Sequence, residues 1–347
     1  MKKLSLLLSL FVTTNVTLAQ ELETILLAAD DASKLMQGYL NPASKGLMYS
    51  MNGGWYTTAK THKVLGFDLT ISANGSFVPS ADEIFAFIPS DYQFLSLPNN
   101  ETSIPTVMSD NDVSTMVDVS VPVGDGTFKV ASFEMPGGIT EELPANVVPS
   151  PMVQAGIGLP LHTDLKIRFA PTVTYSDDFE ANLLGIGLQH NLMQYIGPLD
   201  KLPLSLSVLA AFTKIDATYN IGDEAADGVS VTNGSAGFEL NTWTAQLLGS
   251  LDFKIVTIYG GLGYNSGKTN LKMKGTYNLS YDIDDGNGNI IGSVDESITD
   301  PIDLEFEADG FRGTIGTRLN LAWFKIFADY TLQEYNTATV GIAFSFR

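Results

Sequence analysis

Apolar side chains recur at every second residue in this chain, over stretches longer than an ordinary sheet strand. Leu165, Ile167, Phe169, Val173 and Tyr175 alternate with Asp164, Lys166, Arg168, Thr172 and Thr174. Phe311, Ile315, Leu319 and Leu321 alternate with Arg312, Thr314, Arg318 and Asn320, and Val340, Ile342, Phe344 and Phe346 with Thr339, Gly341, Ala343 and Ser345. Leu271, Met273, Tyr277 and Leu279 do the same against Asn270, Lys272, Lys274, Thr276 and Asn278. A period of two sends each set to its own face of a strand. Soluble sandwiches alternate too, but their strands have a mode of about 5–6 residues. The segments near 163–175, 203–219, 237–251, 255–265, 309–322 and 324–333 mostly reach the roughly 9–11 residues that cross a tilted bilayer. One face is bulky and apolar, while the other mixes Gly, Ser, Thr, Asn and cations. The expected fold is therefore all-β, a transmembrane antiparallel β-barrel of about 12–14 strands.

The ends of the chain agree with export. Lys2 and Lys3 precede the apolar run Leu4–Val12, and Thr17-Leu18-Ala19 suits a cleavage site, so residues 1–19 read as a signal peptide. The predicted location is the outer membrane of a Gram-negative bacterium, with membrane lipid as the surrounding partner. Cysteine is absent, which removes disulfides, thiolate nucleophiles and cysteine metal sites. The net charge of -20 argues against nucleic-acid binding. No phosphate-binding glycine loop, cofactor motif or metal site is evident. Trp323-Phe324, Phe253, Trp55-Tyr56 and Tyr195 are the candidate interfacial aromatics.

Turn lengths orient the wall. Pro160–Thr163, Leu251–Lys254 and Leu321–Lys325 are short links and read as periplasmic; Ser176–Glu180, Asn220–Ala236 and Asp282–Asp309 are longer, acidic and read as external. Three regions stand apart. Residues 20–43 form a helical segment, with Ile25, Leu26, Ala29, Ala32, Leu35 and Met36 at helical spacing and Pro42 ending the run. Within the barrel domain, 44–347, residues 75–150 form a long loop region with one clear hairpin, Val117–Pro122 to Thr127–Glu134. Residues 268–308 read as an acidic extracellular excursion, turned at Asp284–Asn289. Asp285, Asn287, Asn289 and Glu296 approach calcium-loop spacing, but Ile290 replaces the required glycine, which favours a solvated surface.

The helical segment leading into Asn41-Pro42-Ala43, together with the C-terminal Phe-x-Phe, resembles the outer-membrane long-chain fatty-acid and hydrocarbon transporter (FadL-type) superfamily. The resemblance also extends to outer-membrane barrels of unassigned function. It implies an N-terminal plug carrying the Asn-Pro-Ala motif, and passive uptake of small hydrophobic molecules. Read from the residues alone, Asn41-Pro42 is a helix stop. The inward cations Lys166, Arg168, Arg312 and Arg318, with Lys272 and Lys274, either guide a carboxylate headgroup or pair with inward acids such as Asp68, Asp164 and Asp329; for Lys272 and Lys274 a place above the membrane is the alternative. The alternative role is a non-conducting barrel, a scaffold subunit of a secretion or surface-assembly complex with a periplasmic or surface partner protein. His62, His162 and His190 stand in no nucleophile motif, so the sequence predicts no enzyme.

Overall fold

The computed structural model describes residues 29–123, 126–143, 147–176, 178–196, 203–226, 229–284 and 290–346. The signal peptide, the Asp285–Asn289 part of the acidic turn and the Gly124-Asp125 turn lie outside these residues. Among the described residues, one α-helix, α1 (Ala29–Met51), precedes β1 (Phe67–Phe77). An excursion follows, holding the short strands β2 (Ile84–Ala86), β3 (Leu95–Ser96) and β4 (Ser103–Pro105) and the expected hairpin of β5 (Thr115–Val123) and β6 (Gly126–Met135). The wall then resumes with β7 (Val147–Leu159), β8 (Thr163–Ser176), β9 (Phe179–Asn191), β10 (Leu204–Ala226), β11 (Val229–Asp252) and β12 (Val256–Asp284). It ends with β13 (Ile290–Thr299), β14 (Ile302–Leu321), β15 (Phe324–Leu332) and β16 (Thr337–Phe346).

Ten of these strands close into an antiparallel barrel, in the order β1-β7-β8-β9-β10-β11-β12-β14-β15-β16, with β16 returning to β1. The number is even, as barrel closure by hairpins requires, but it is ten rather than 12–14. The surplus in the sequence reading came from 75–150 and 268–308, and neither adds a wall strand. The acidic stretch is carried on extended wall strands rather than on a loop. β12 runs on to Asp284, β13 folds back on it as a hairpin, and β14 begins at Ile302 in register with Met273.

The wall changes character along its height. Near the short-turn end, outward positions carry Leu69, Ile71, Ile186, Leu188, Leu247, Ile258, Leu262, Ile315 and Leu319, all strongly exposed. Hydrocarbon, not water, is the medium that such a belt matches. Tyr264 lies 6.0 Å from Trp243 and 5.3 Å from Phe311, measured between rings, and Trp243 pairs across the ladder with Phe212. These four form the outer aromatic rim. Around the other rim, Phe67 stacks on Phe346 and Trp323 on Phe344. Trp55 and Tyr56 belong to neither rim: they lie inside the lumen, 1% and 5% exposed.

Above the outer rim the pattern inverts. On β14, Phe311 is followed on the same outward face by Asp309, Glu307, Glu305 and Asp303, while Ile302, Leu304, Phe306 and Ala308 turn inward and are buried. β12 repeats this, with Lys268, Lys272 and Lys274 outward above Tyr264. Lys272 and Lys274 are thus surface groups and not lumen cations; Lys268 pairs with Glu305 and Glu307, and Lys272 with Asp303. The inward apolar residues of this outer section join α1 and the excursion in one core, with Leu35, Tyr39, Met48, Ile104, Val117 and Phe133.

Helix α1 does not stop at Pro42. It runs nine residues further, to Met51, with Pro42 buried inside it. A proline there removes one i→i−4 hydrogen bond and crowds the previous turn. Burial of Leu35, Tyr39, Leu40, Met48, Tyr49 and Met51 on the enclosing wall outweighs that local preference.

Candidate functional site in the barrel lumen

The chain threads the barrel before building it. The start of α1 lies against the excursion, where Asp31 Oδ2 accepts the backbone N–H groups of Gln93, Phe94 and Leu95 at 2.8, 2.7 and 3.2 Å. The helix descends between the outer ends of the strands, and Tyr49 donates to Glu334 at the β15–β16 turn. From Asn52 the segment is extended and passes down the membrane-embedded lumen to Lys63, reaching β1 at the short-turn end.

Two arginines hold the junction. Arg168 on β8 donates to Met51 O (2.8 Å), Gly53 O (2.6 Å) and Gln154 Oε1 (3.1 Å), and its guanidinium lies 3.7 Å over the Trp55 ring. Arg312 on β14 donates to Asn52 O (2.8 Å), Asn265 Oδ1 (3.1 Å) and Thr331 Oγ1 (3.2 Å). A helix end leaves carbonyls without intrahelical partners and carries partial negative charge, so cations there are doubly favoured. Gly54 takes φ +69, a turn conformation that few other residues adopt without strain. Gly187 makes room for the tryptophan, since a Cβ there would stand 2.9 Å from the Trp55 ring.

Lower down, Arg318 donates to Thr57 Oγ1 (3.0 Å), with Asp252 at 4.0 Å, and Gln189 donates to the Thr58 carbonyl (3.0 Å). At the short-turn mouth, Asp164 Oδ1 accepts the His62 backbone N–H and Oδ2 meets His62 Nδ1, both at 2.9 Å. His62 Nε2 faces Ser345 Oγ at 3.4 Å and Asp68 Oδ1 at 3.7 Å. Lys166 is buried beside Asp68 and Asp164. Asp329 accepts from Tyr259 (2.9 Å) rather than from a cation at hydrogen-bond distance. The candidate lumen residues therefore divide: the cations Arg168, Arg312 and Arg318 grip the threaded segment, whereas Lys166 and the carboxylate Asp68 belong to the mouth cluster. Asn41, Pro42 and Ala43 lie in the middle of α1, remote from both.

The wall around this plug has a seam. β7 and β8 pair only from Leu159↔Thr163 to Gln154↔Arg168, although both strands continue upward. The β1–β7 ladder runs unbroken through Pro149 and Pro151, so the nitrogens of these prolines face β8, where neither can donate. Pro171 stands on the opposite strand. Val153 and Phe169, 52% and 62% exposed, flank the point of separation. Val153 is level with Ile71 and Val147 with Phe77, so the seam opens within the apolar belt.

The chain belongs to DUF6588, a family of unknown function, whose profile matches residues 1–346. No curated protein matches it. Among solved structures, it is similar to the attachment invasion locus protein Ail of Yersinia pestis at 10% identity, covering 82% of this chain and 100% of that one, with a TM-score of 0.25. The outer membrane protease OmpT of Escherichia coli follows at 8% identity, 83% and 100% coverage and a TM-score of 0.30. The β domain of the Bordetella autotransporter BrkA gives 12%, 81%, 100% and 0.25.

In this DUF6588 chain, sequence reading put Trp55 at the membrane interface instead of in the lumen, and missed Gln154, Gln189, Asn265 and the His62–Asp164–Ser345 contact. A signal existed for Trp55. Gly53-Gly54 after an amphipathic run marks a helix end, which would have placed Trp55 just beyond it. No local signal joins His62 to partners 102 and 283 residues away. His162 lies in the short β7–β8 turn, bonded to Gln194, and His190 near the end of β9, bonded to Thr163 and Tyr195.

Proposed function

We propose that this protein is an outer-membrane channel for small hydrophobic molecules whose exit is lateral, through the β7–β8 seam, rather than axial. The observation that carries this reading is the seam itself: wall strands that separate inside the hydrocarbon belt, edged by prolines that cannot relace them. Residues 29–63 occupy the axial route, and the arginine clamp opposes their withdrawal. Molecules would enter beneath the excursion and leave between Val153 and Phe169 into the outer leaflet. The likeness to FadL-type transporters is then one of plan, a helix with Asn-Pro-Ala inside a barrel, since ten strands depart from that family's fourteen.

The absence of native cysteine allows a direct test. Val153→Cys with Phe169→Cys adds a disulfide one rung above the last pair. Oxidation is expected to abolish uptake of a fluorescent hydrophobic probe into proteoliposomes, and reduction to restore it. Uptake that persists with the bond fully formed overturns the lateral route. The filled lumen also supports a second reading, the non-conducting scaffold. That reading expects no uptake in either redox state.

A further inference from the structure

We propose that Asp164, His62 and Ser345 form a serine-hydrolase triad at the periplasmic mouth of the lumen, acting on small carboxylic esters. The three groups come from different elements. Asp164 is the second residue of β8, Ser345 is next to the end of β16, and His62 lies at the foot of the threaded segment. Asp164 binds both the backbone N–H and Nδ1 of His62, which fixes the ring and places the proton on Nδ1. Nε2 is then the basic nitrogen, and it faces Ser345 Oγ at 3.4 Å. Catalytic hydrogen bonds of this length are common before substrate binds. The His62 side chain is 17% exposed, so its ring is not sealed from solvent.

The chemistry closes with water as the only co-reactant. Ser345 Oγ attacks the ester carbonyl carbon as its proton passes to Nε2. Collapse of the tetrahedral adduct breaks the ester C–O bond, and the alcohol leaves with the proton from Nε2. Water, deprotonated by Nε2, then attacks the acyl-serine, releasing the carboxylic acid and restoring the Ser345 hydroxyl. The cation available to oppose the developing oxyanion would be Lys166, buried beside Asp68 and Asp164. The Ser345 N–H is already donated to Trp323 O, so it plays no such part.

One feature competes. Asp68 Oδ1 stands 3.7 Å from Nε2, and with Asp164 it could hold a charged imidazole as a simple tie for the plug. Thr70 already donates to Asp68 Oδ2 at 2.8 Å. The test separates the two roles. Detergent-purified full-length protein is treated with a fluorescent fluorophosphonate, and hydrolysis of p-nitrophenyl butyrate is followed in parallel. Labelling of Ser345, its loss in Ser345→Ala, and a fall of about 100-fold or more in hydrolysis for His62→Gln are expected. Asp68→Asn is expected to keep the label. Heat-modifiable mobility shows that each variant is folded. Wild-type protein that takes no label, or takes as much in folded Ser345→Ala, overturns the triad, as does labelling undiminished in folded His62→Gln. The Val153–Phe169 disulfide leaves labelling unchanged, so failure of the channel reading and failure of this one are distinguishable.

Discussion

The two sections of the barrel wall use the same strands with opposite chemistry. Below the rim of Phe212, Trp243, Tyr264 and Phe311, bulky apolar residues face outward and Arg312, Thr314 and Arg318 face in. Above it, on the same strand, Leu304 and Phe306 face in and Glu305 and Glu307 face out. Alternation continues without a break while its phase reverses between Asp309 and Phe311. The lower section is solvated by hydrocarbon and must satisfy its polar groups internally. The upper section stands in water and folds like a soluble protein around α1. What the comparison teaches is that the position of a membrane boundary can be read from a phase reversal, without any lipid present.

The largest effect should come at the junction of the two sections. Arg168→Met leaves Met51 O, Gly53 O and Gln154 Oε1 without their donor, and is expected to cost about 3–5 kcal/mol in denaturant unfolding from micelles. A phase test follows. Ile315→Arg places a charge in hydrocarbon and should cost about 2–4 kcal/mol. Glu307→Leu, on the same face but above the rim, should change stability by no more than about 0.5 kcal/mol. Equal effects at the two positions would break the comparison.

Within the upper section, Asp31→Ala removes the acceptor for three backbone N–H groups and should cost about 1–3 kcal/mol. The measurable sign is faster proteolysis within 78–143, with the wall intact. The smallest effect is one of pH. Burial alone would raise the Asp118 carboxyl, but hydrogen bonds from Lys129 and Ser132 and the Lys129 charge hold it below the usual value. A depressed folded pKa contributes stability above the unfolded value, and that contribution is lost as pH falls through the folded one. Amide exchange in the β5–β6 hairpin should therefore accelerate relative to the lower wall as pH drops below about 4, and Asp118→Asn should remove the dependence.

Legibility followed the range of the interactions. The inward facing of Asp164, Lys166, Arg168, Arg312 and Arg318 was correct from a period of two, because pleating alone decides it. For Lys272 and Lys274 the sequence left two places open, in the lumen or above the membrane, because the same period says nothing about which face meets water once the strand leaves the membrane. Pro42 was taken as a stop on local grounds and overruled by enclosure. The triad contact depends on closing the barrel so that β16 returns to β1, and no short window of residues contains that closure.

By itself, then, the order of residues determined an all-β wall crossing a membrane, its even strand parity, its short-turn end and the inward facing of Lys166, Arg168, Arg312 and Arg318. These rest on alternation and turn length, which are local. Tertiary structure alone decided the count of ten, the passage of α1 through Pro42, the arginine grip on its end, the seam and the meeting of His62 with Ser345. Each of these depends on which distant surfaces enclose a residue, and burial free energy summed over many contacts then exceeds the one or two kcal/mol of local preference.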